Sequence, residues 1–343
     1  MARYIGTFLI SLVFSFSLVW VWVALAPLAY LDPEYPAWVA KQHMLASCAL
    51  GDLVVVGDSR AAVDIIPAAL PMFATNLAVG GGSPIEASLA ISRALNCPSP
   101  PRRVIVSFDA AHFTEPDLFW ERSVRFGFTT PDDLRELRRV SLQLGDPSIY
   151  DIRRGGVPSW LRPVLYMLRF PTYYFNSVAK GGVFLRWWNN RASLAEVTAT
   201  RGQYFFGTEP GSSMVAVEGH MRAFKPLPVL DHYFDRMLAL LAQRDIEVDF
   251  VAMPMNQATR KVVRTDVSDA FAGYLVAYST RYRNFHLIGD AMPDWPDRWF
   301  GDAFAHLNPA GAQRFSAQLA AWLSATAGGT TEHAERSAEG VVQ

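Results

Sequence analysis

Hydrophobic positions follow three different patterns along the chain. From Arg3 to Asp32 there is no charged side chain between the two, and Tyr4 to Tyr30 forms an apolar stretch of about 27 residues, more than the roughly 20 that a membrane crossing requires. Arg3 precedes the stretch while Asp32 and Glu34 follow it, which places the N-terminus in the cytoplasm and the remainder outside it. Ala24-Leu25-Ala26 has the small residues of a cleavage site, so a removed signal peptide is the rival reading. Pro27 after that point and the length of the run favour an uncleaved anchor over residues 1–31.

Beyond a juxtamembrane segment over Pro33–Ala49, short β-branched runs alternate with helix-length stretches. Leu53–Val56, Phe73–Leu77, Val104–Phe108, Val248–Met253 and Asn284–Ile288 read as strands. Ala61–Leu70, Pro84–Leu95, Pro228–Gln243, Asp266–Tyr282 and Pro309–Ala325 read as helices. This alternation predicts an α/β domain over 32–325, with a doubly wound parallel sheet of five strands in flavodoxin-like order and right-handed crossovers.

The rhythm lapses over 112–227, which is expected to be a large insertion carrying helices over Asp133–Leu144 and Leu161–Leu168. Aromatics crowd there: Phe119-Trp120, Tyr166, Phe170, Tyr173-Tyr174-Phe175, Trp187-Trp188 and Tyr204-Phe205-Phe206. They either form a cap that offers ring faces to sugars, or fill a subdomain core or lie at a lipid interface. The polar tail over 326–343 is expected to be disordered.

Composition narrows the function. A formal net charge of −1 over 343 residues argues against a nucleic-acid binder. Cys48 and Cys97 are the two cysteines, each just before a predicted strand. They are a disulfide candidate in an oxidising compartment, or two separate buried thiols. His43, His112, His220, His232, His286 and His333 lack metal-ligand spacing, so no metal is expected, and no cofactor either. Gly80-Gly81-Gly82-Ser83-Pro84 lacks the lysine of a phosphate loop and the last glycine of a dinucleotide fingerprint.

Two segments carry candidate chemistry. Gly57-Asp58-Ser59 leaves the first predicted strand, where a sharp turn would expose a hydroxyl. His306, in Asp302-Ala303-Phe304-Ala305-His306-Leu307-Asn308, opens the last predicted helix. Imidazole titrates near neutrality, so His306 suits the base that a serine nucleophile needs. Asp302 is the candidate to fix its tautomer, unless a carbonyl does so. Asp58 is expected to fix the turn. Arg60 is expected to pair with Asp58 or Asp109, or to bind an anionic substrate.

The Gly-Asp-Ser block and the Asp/His turn resemble the SGNH/GDSL hydrolase superfamily over roughly Gly51–Leu323. The His306-Leu307-Asn308-Pro309-Ala310-Gly311 version is similar to its membrane-tethered branch, which works beside membrane acyltransferases on bacterial surface polymers. The resemblance implies the same five-stranded fold, Ser59 as nucleophile with His306 and Asp302, and an oxyanion hole built from Ser59 and from Gly80 or Gly81. Asn308 falls within the motif as a further candidate for the substrate site. Two departures stand out. The family acid lies three residues before the histidine, where this chain has Ala303. Asp109 occupies the place of the family's oxyanion-binding asparagine, which leaves it protonated, engaged elsewhere, or outside a hole of two donors.

The implied function is that of a membrane-anchored serine acyltransferase or esterase. It would act on O-acyl, chiefly acetyl, groups of a cell-surface polysaccharide, from the periplasmic side of a bacterial inner membrane. A membrane-bound acyltransferase is the implied partner. The alternative is a weakly active or inactive glycan-binding scaffold of the same fold.

Overall fold

The computed structural model describes residues 1–29, 31–116, 118–150, 160–169, 183–303 and 305–339. Five short strands pair entirely in parallel: β1 (Leu53–Gly57), β2 (Ala74–Asn76), β3 (Arg103–Ser107), β4 (Glu247–Val251) and β6 (Phe285–Ile288). Their order is β2-β1-β3-β4-β6, so the order reverses between β1 and β3. Every residue of β1 is buried, as expected of a central strand with both faces covered. Two-residue strands β5 (Met255–Asn256) and β7 (Asp294–Trp295) form a separate parallel pair.

Alternation along the strands sorts the helices. Leu53, Val55, Ile105 and Val251 share a core with Ala61, Ala62 and Ile65 and with Phe315, Leu319 and Leu323. These belong to or adjoin helix α3 (Ser59–Asp64) and the C-terminal helix Pro309–Glu339. Helix α4 (Pro84–Ala94) packs beside the helix Pro228–Ala242. Phe234 of that second helix meets Phe250 of β4 and Phe285 of β6 edge-on, with Phe271 against Phe250 from the helix Thr265–Arg281. Residues one apart on a strand thus serve opposite layers.

The chain divides into two compact units, Met1–His43 with Pro116–Thr198, and Met44–Glu115 with Ala199–Gln343. The sheet belongs to the second. The expected insertion over 112–227 is therefore too long: residues 199–227 fold with the sheet unit, where Gly202 packs on Asn76 of β2, Gly207 on the loop at Gly301, and Glu218 bonds Arg60.

In the first unit, α1 (Ala2–Leu25), which α2 (Tyr35–Ala46) follows in the chain, is long and apolar enough to cross a membrane or to serve as a signal sequence. Trp20 donates its indole N–H to Leu168 O, and Arg169 donates to Ala24 O. Trp120 contacts Phe119, Tyr150 and Tyr166, and Trp38 lies edge-on to Phe126 and Phe128. These rings serve a subdomain core, whereas Trp188 is exposed. Phe170 and Tyr173-Tyr174-Phe175 lie outside the described residues.

Two expected elements differ. The helix expected over Ala61–Leu70 starts at Ser59 and stops at Asp64, because Pro67 forces Ile66 out of helical backbone and a separate turn follows at Pro67–Ala69. The expected disordered tail continues the last helix to Glu339, while 340–343 lie outside the described residues. Its Ala, Glu and Arg residues are good helix formers, and polarity opposes burial rather than helix.

Cys48 and Cys97 form a disulfide, with Cα atoms 5.5 Å apart. It closes a loop of 49 residues, a constraint on the unfolded chain worth about 2–4 kcal/mol.

Candidate functional site

The turn after β1 is built by close backbone approach. A Cβ on Gly57 would lie 2.0 Å from Ser107 O, so only glycine lets β1 and β3 lie together here. Asp58 then caps α3, its carboxylate accepting the N–H groups of Arg60 (2.8 Å) and Ala61 (3.3 Å). The other carboxylate oxygen accepts the Asp109 N–H at 3.0 Å, which ties the β1 turn to the β3 turn. Asp58 fixes the turn, and Ser59 is left half-buried as the first residue of α3.

The glycine loop reaches the same turn. Val79 donates its N–H to Gly57 O at 3.1 Å, and a Cβ on Gly82 would lie 2.7 Å from that oxygen. Gly80 is buried, and Gly81 is half-buried in left-handed backbone at φ +68°. The loop expected to help bind an oxyanion thus adjoins the turn that carries Ser59.

His306 and Asp302 form a bonded pair. Nδ1 of the imidazole lies 2.5 Å from Asp302 Oδ2, and the His306 N–H is 3.2 Å from Asp302 Oδ1. The extra residue between acid and histidine is taken up by Ala305, which has left-handed backbone at φ +60°. An antiparallel bridge from Phe300 to Leu307 closes the loop, with Gly301 donating to His306 O at 2.9 Å. The ring of Phe206 lies 4.8 Å from the imidazole, tilted by 38°.

Asp64, the last residue of α3, joins this loop to the serine helix. It is fully buried, and its Oδ1 accepts the N–H of Leu307, the neighbour of His306, at 3.0 Å. Burial, followed by smaller contributions from Asp58 and Asp302, drives its carboxyl well above the usual range against the Leu307 hydrogen bond and Arg60. Asn76 holds the same helix, donating to Ala61 O and Ile65 O at 2.8 and 3.0 Å. An acid within the apolar Ala61–Ile66 run was a readable signal for Asp64; the other anchor, Asn76, carried none.

The raised carboxyl has a sign. Folded Asp64 keeps a proton that the unfolded chain releases, so it lowers stability progressively as pH rises from the ordinary carboxylate range to the folded value. Asp64→Asn keeps an acceptor oxygen and removes the titration. Relative to wild type, the variant should gain about 1.4 kcal/mol per pH unit between those limits. Unfolding midpoints from pH 4 to 8 check this; two curves that stay parallel exclude it.

The remaining polar residues form an ionic cluster. Arg60 is 3% exposed, bonds Glu218 Oε2 at 2.8 Å with a second contact to Oε1, and lies 3.6 Å from Asp109. It is a structural ion pair, with Glu218 as the partner that the sequence did not reveal across 158 positions. Burial opposes the charge on Arg60, but Glu218 and Asp109 outweigh it and hold its pKa above the usual value. Asp109 caps the turn Ala110–Phe113, accepting from Ala111 N and His112 N at 2.8 and 3.1 Å. Burial pushes its carboxyl up, yet His112 and Arg60 together hold it well below the usual carboxylate range. Asp109 is thus an engaged carboxylate, an acceptor that cannot donate to an oxyanion.

Asp58, Asp109 and His112 each offer one ligand atom, all within 4.8 Å of one another, an arrangement that sequence spacing did not suggest. Around it, three carboxylates, Asp58, Asp109 and Glu218, face two cations, Arg60 and the His112 imidazolium, with Glu218 bonded to Arg60. Asn308 caps the last helix, accepting from Gly311 N and donating to Glu209 O and Arg298 O. Its amide is committed to backbone. A cavity of about 730 Å³ in the first unit is lined by Leu134, Leu142, Tyr150, Trp160, Val164 and Met167 among others, none of them a candidate from the sequence.

The chain matches no protein-family model, and no curated protein or solved structure matches it either.

Proposed function

We propose that the protein is an SGNH-type serine esterase or O-acyltransferase, anchored by its N-terminal helix with the sheet unit outside the cytoplasm. Its substrate is an O-acyl group, chiefly acetyl, on a cell-surface polysaccharide. One observation carries this reading: the residue next to a bonded Asp302–His306 pair is hydrogen-bonded into the short helix that Ser59 begins. The strand order supports a flavodoxin-like sheet, in which ligands gather at the carboxyl ends where the order reverses. The Cys48–Cys97 disulfide supports an oxidising compartment, the periplasm of a bacterial inner-membrane protein.

In the proposed chemistry Nδ1 of His306 faces Asp302, so Nε2 takes the proton from Ser59 Oγ as the oxygen attacks the ester carbon. The tetrahedral oxyanion is met by the Ser59 N–H and the glycine loop. The carbonyl re-forms as the sugar oxygen leaves with the proton from His306, giving acyl-Ser59. A second hydroxyl, of water or of a sugar, reverses these steps. A membrane-bound acyltransferase is the partner that would supply or receive acyl groups.

A second reading is favoured by Asp109, whose carboxylate stands where a donor belongs: a weakly active or inactive glycan-binding scaffold of that acyltransferase. Covalent labelling separates the two. A fluorophosphonate probe should label the full-length protein, and Ser59→Ala should not be labelled. A wild-type protein left unlabelled under conditions that label a control esterase overturns the enzymatic reading.

A further inference from the structure

On the serine-ester reading, one role in the site is unfilled. A tetrahedral oxyanion needs donors, and the residue after β3 that would supply one is an acceptor-only carboxylate. That carboxylate lies in ion-pair range of the imidazole three residues on. His112 Nδ1 lies 2.9 Å from Asp109 Oδ1 and 3.3 Å from Asp58 Oδ2. Asp58 also sets the first turn of the helix that begins at Ser59. One carboxylate therefore caps the helix that carries the nucleophile and lies in ion-pair range of this ring.

With Nδ1 turned toward two carboxylates, the imidazolium has its second N–H, on Nε2, for another group. Asp58 and Asp109 are 1% and 8% exposed at their side chains while His112 is 21% exposed, so the ring is the open edge of the cluster. It stands at the carboxyl ends of β1 and β3, where the strand order reverses and ligands collect. We propose that the Nε2–H of His112 is the third donor of the oxyanion hole, which makes His112 a catalytic residue in place of an asparagine at position 109.

The ring's charge fits that task. Burial works against the imidazolium, but Asp109 and then Asp58 outweigh it and push its pKa up to about 9, with Arg60 opposing. Glu218, on the adjoining turn Val217–His220, is taken up by Arg60. A cationic donor is stronger than a neutral amide. It donates below about pH 9 and weakens above it.

The experiment uses full-length wild type, His112→Ala, His112→Gln and Ser59→Ala, each checked for folding by circular dichroism. Turnover of p-nitrophenyl acetate and of acetylated sugar is followed from pH 6 to 10, together with the rate of fluorophosphonate labelling. His112→Ala is expected to lose about 10²–10³-fold in kcat with little change in KM, and to label correspondingly more slowly. His112→Gln, which keeps an N–H, is expected to recover part of the rate and to lose the alkaline limb near pH 9. Labelling and turnover by His112→Ala and His112→Gln within threefold of wild type overturn the proposal while leaving the serine reading intact. Activity abolished by a chelator and restored by a divalent metal also overturns it, since the cluster then holds a cation. A wild type that neither labels nor turns over ester removes the serine reading and this inference together.

Discussion

His306→Ala is expected to lower kcat on an acetylated sugar by about 10⁴-fold, equivalent to about 5.5 kcal/mol of transition-state stabilisation. A serine hydroxyl is almost fully protonated at neutral pH, so without a base the attacking oxygen carries its proton into the transition state. Ser59→Ala should cost about as much, and the double variant no more than either alone, because the pair acts as one unit. Asp302→Asn should lose less than His306→Ala but in the same direction, since the amide can present its N–H to Nδ1 and reverse the tautomer. KM should change little in all of these variants, because neither group is asked to hold the ground-state ester. Steady-state kinetics of the four proteins decide the matter. Turnover in His306→Ala within tenfold of wild type would remove the imidazole from the mechanism, and additive losses in the double variant would remove the coupling.

The parts of this site that could be read from the chain are those whose cause is local. Leu53–Val56 announced a buried strand because four apolar residues without alternation fit a sheet covered on both faces. The apolar run continues through Ile65 and Ile66 and so extends the expected helix past its real end, whereas Pro67 acts backwards on its predecessor. The spacing of Asp302 and His306 is one residue longer than in the motif it resembles; left-handed Ala305 takes up the excess, and nothing about alanine signals that conformation. Asp109 was legible as a carboxylate in a donor's place. Its engagement with His112, three residues on, follows from a single turn after β3 and was within reach of the sequence. Glu218 was not, because its pairing with Arg60 depends on how residues 199–227 return to the sheet unit rather than on any local pattern.

That pairing leads to the second large effect, this time on stability. Arg60 and Glu218 have side chains 4% and 1% exposed, so each desolvated charge is held by the other's fork. Glu218→Ala leaves the guanidinium buried with Asp109 3.6 Å away, and Asp109 is shared with His112. The expected loss is about 3–5 kcal/mol, a large fraction of the roughly 5–15 kcal/mol that holds a domain together. Glu218→Gln should lose nearly as much, because the amide keeps the volume and discards the charge. Arg60→Met combined with Glu218→Leu should recover much of the loss, since two apolar groups of similar size leave no uncompensated ion. Urea midpoints for the single and double variants measure this directly. A loss below about 1 kcal/mol in Glu218→Ala, or a double variant no more stable than the single, would mean that the buried guanidinium does not depend on Glu218. Because Arg60 follows Ser59 on the same turn of α3, Glu218→Ala should also depress fluorophosphonate labelling, whereas the double variant, with the helix held again by packing, should regain it.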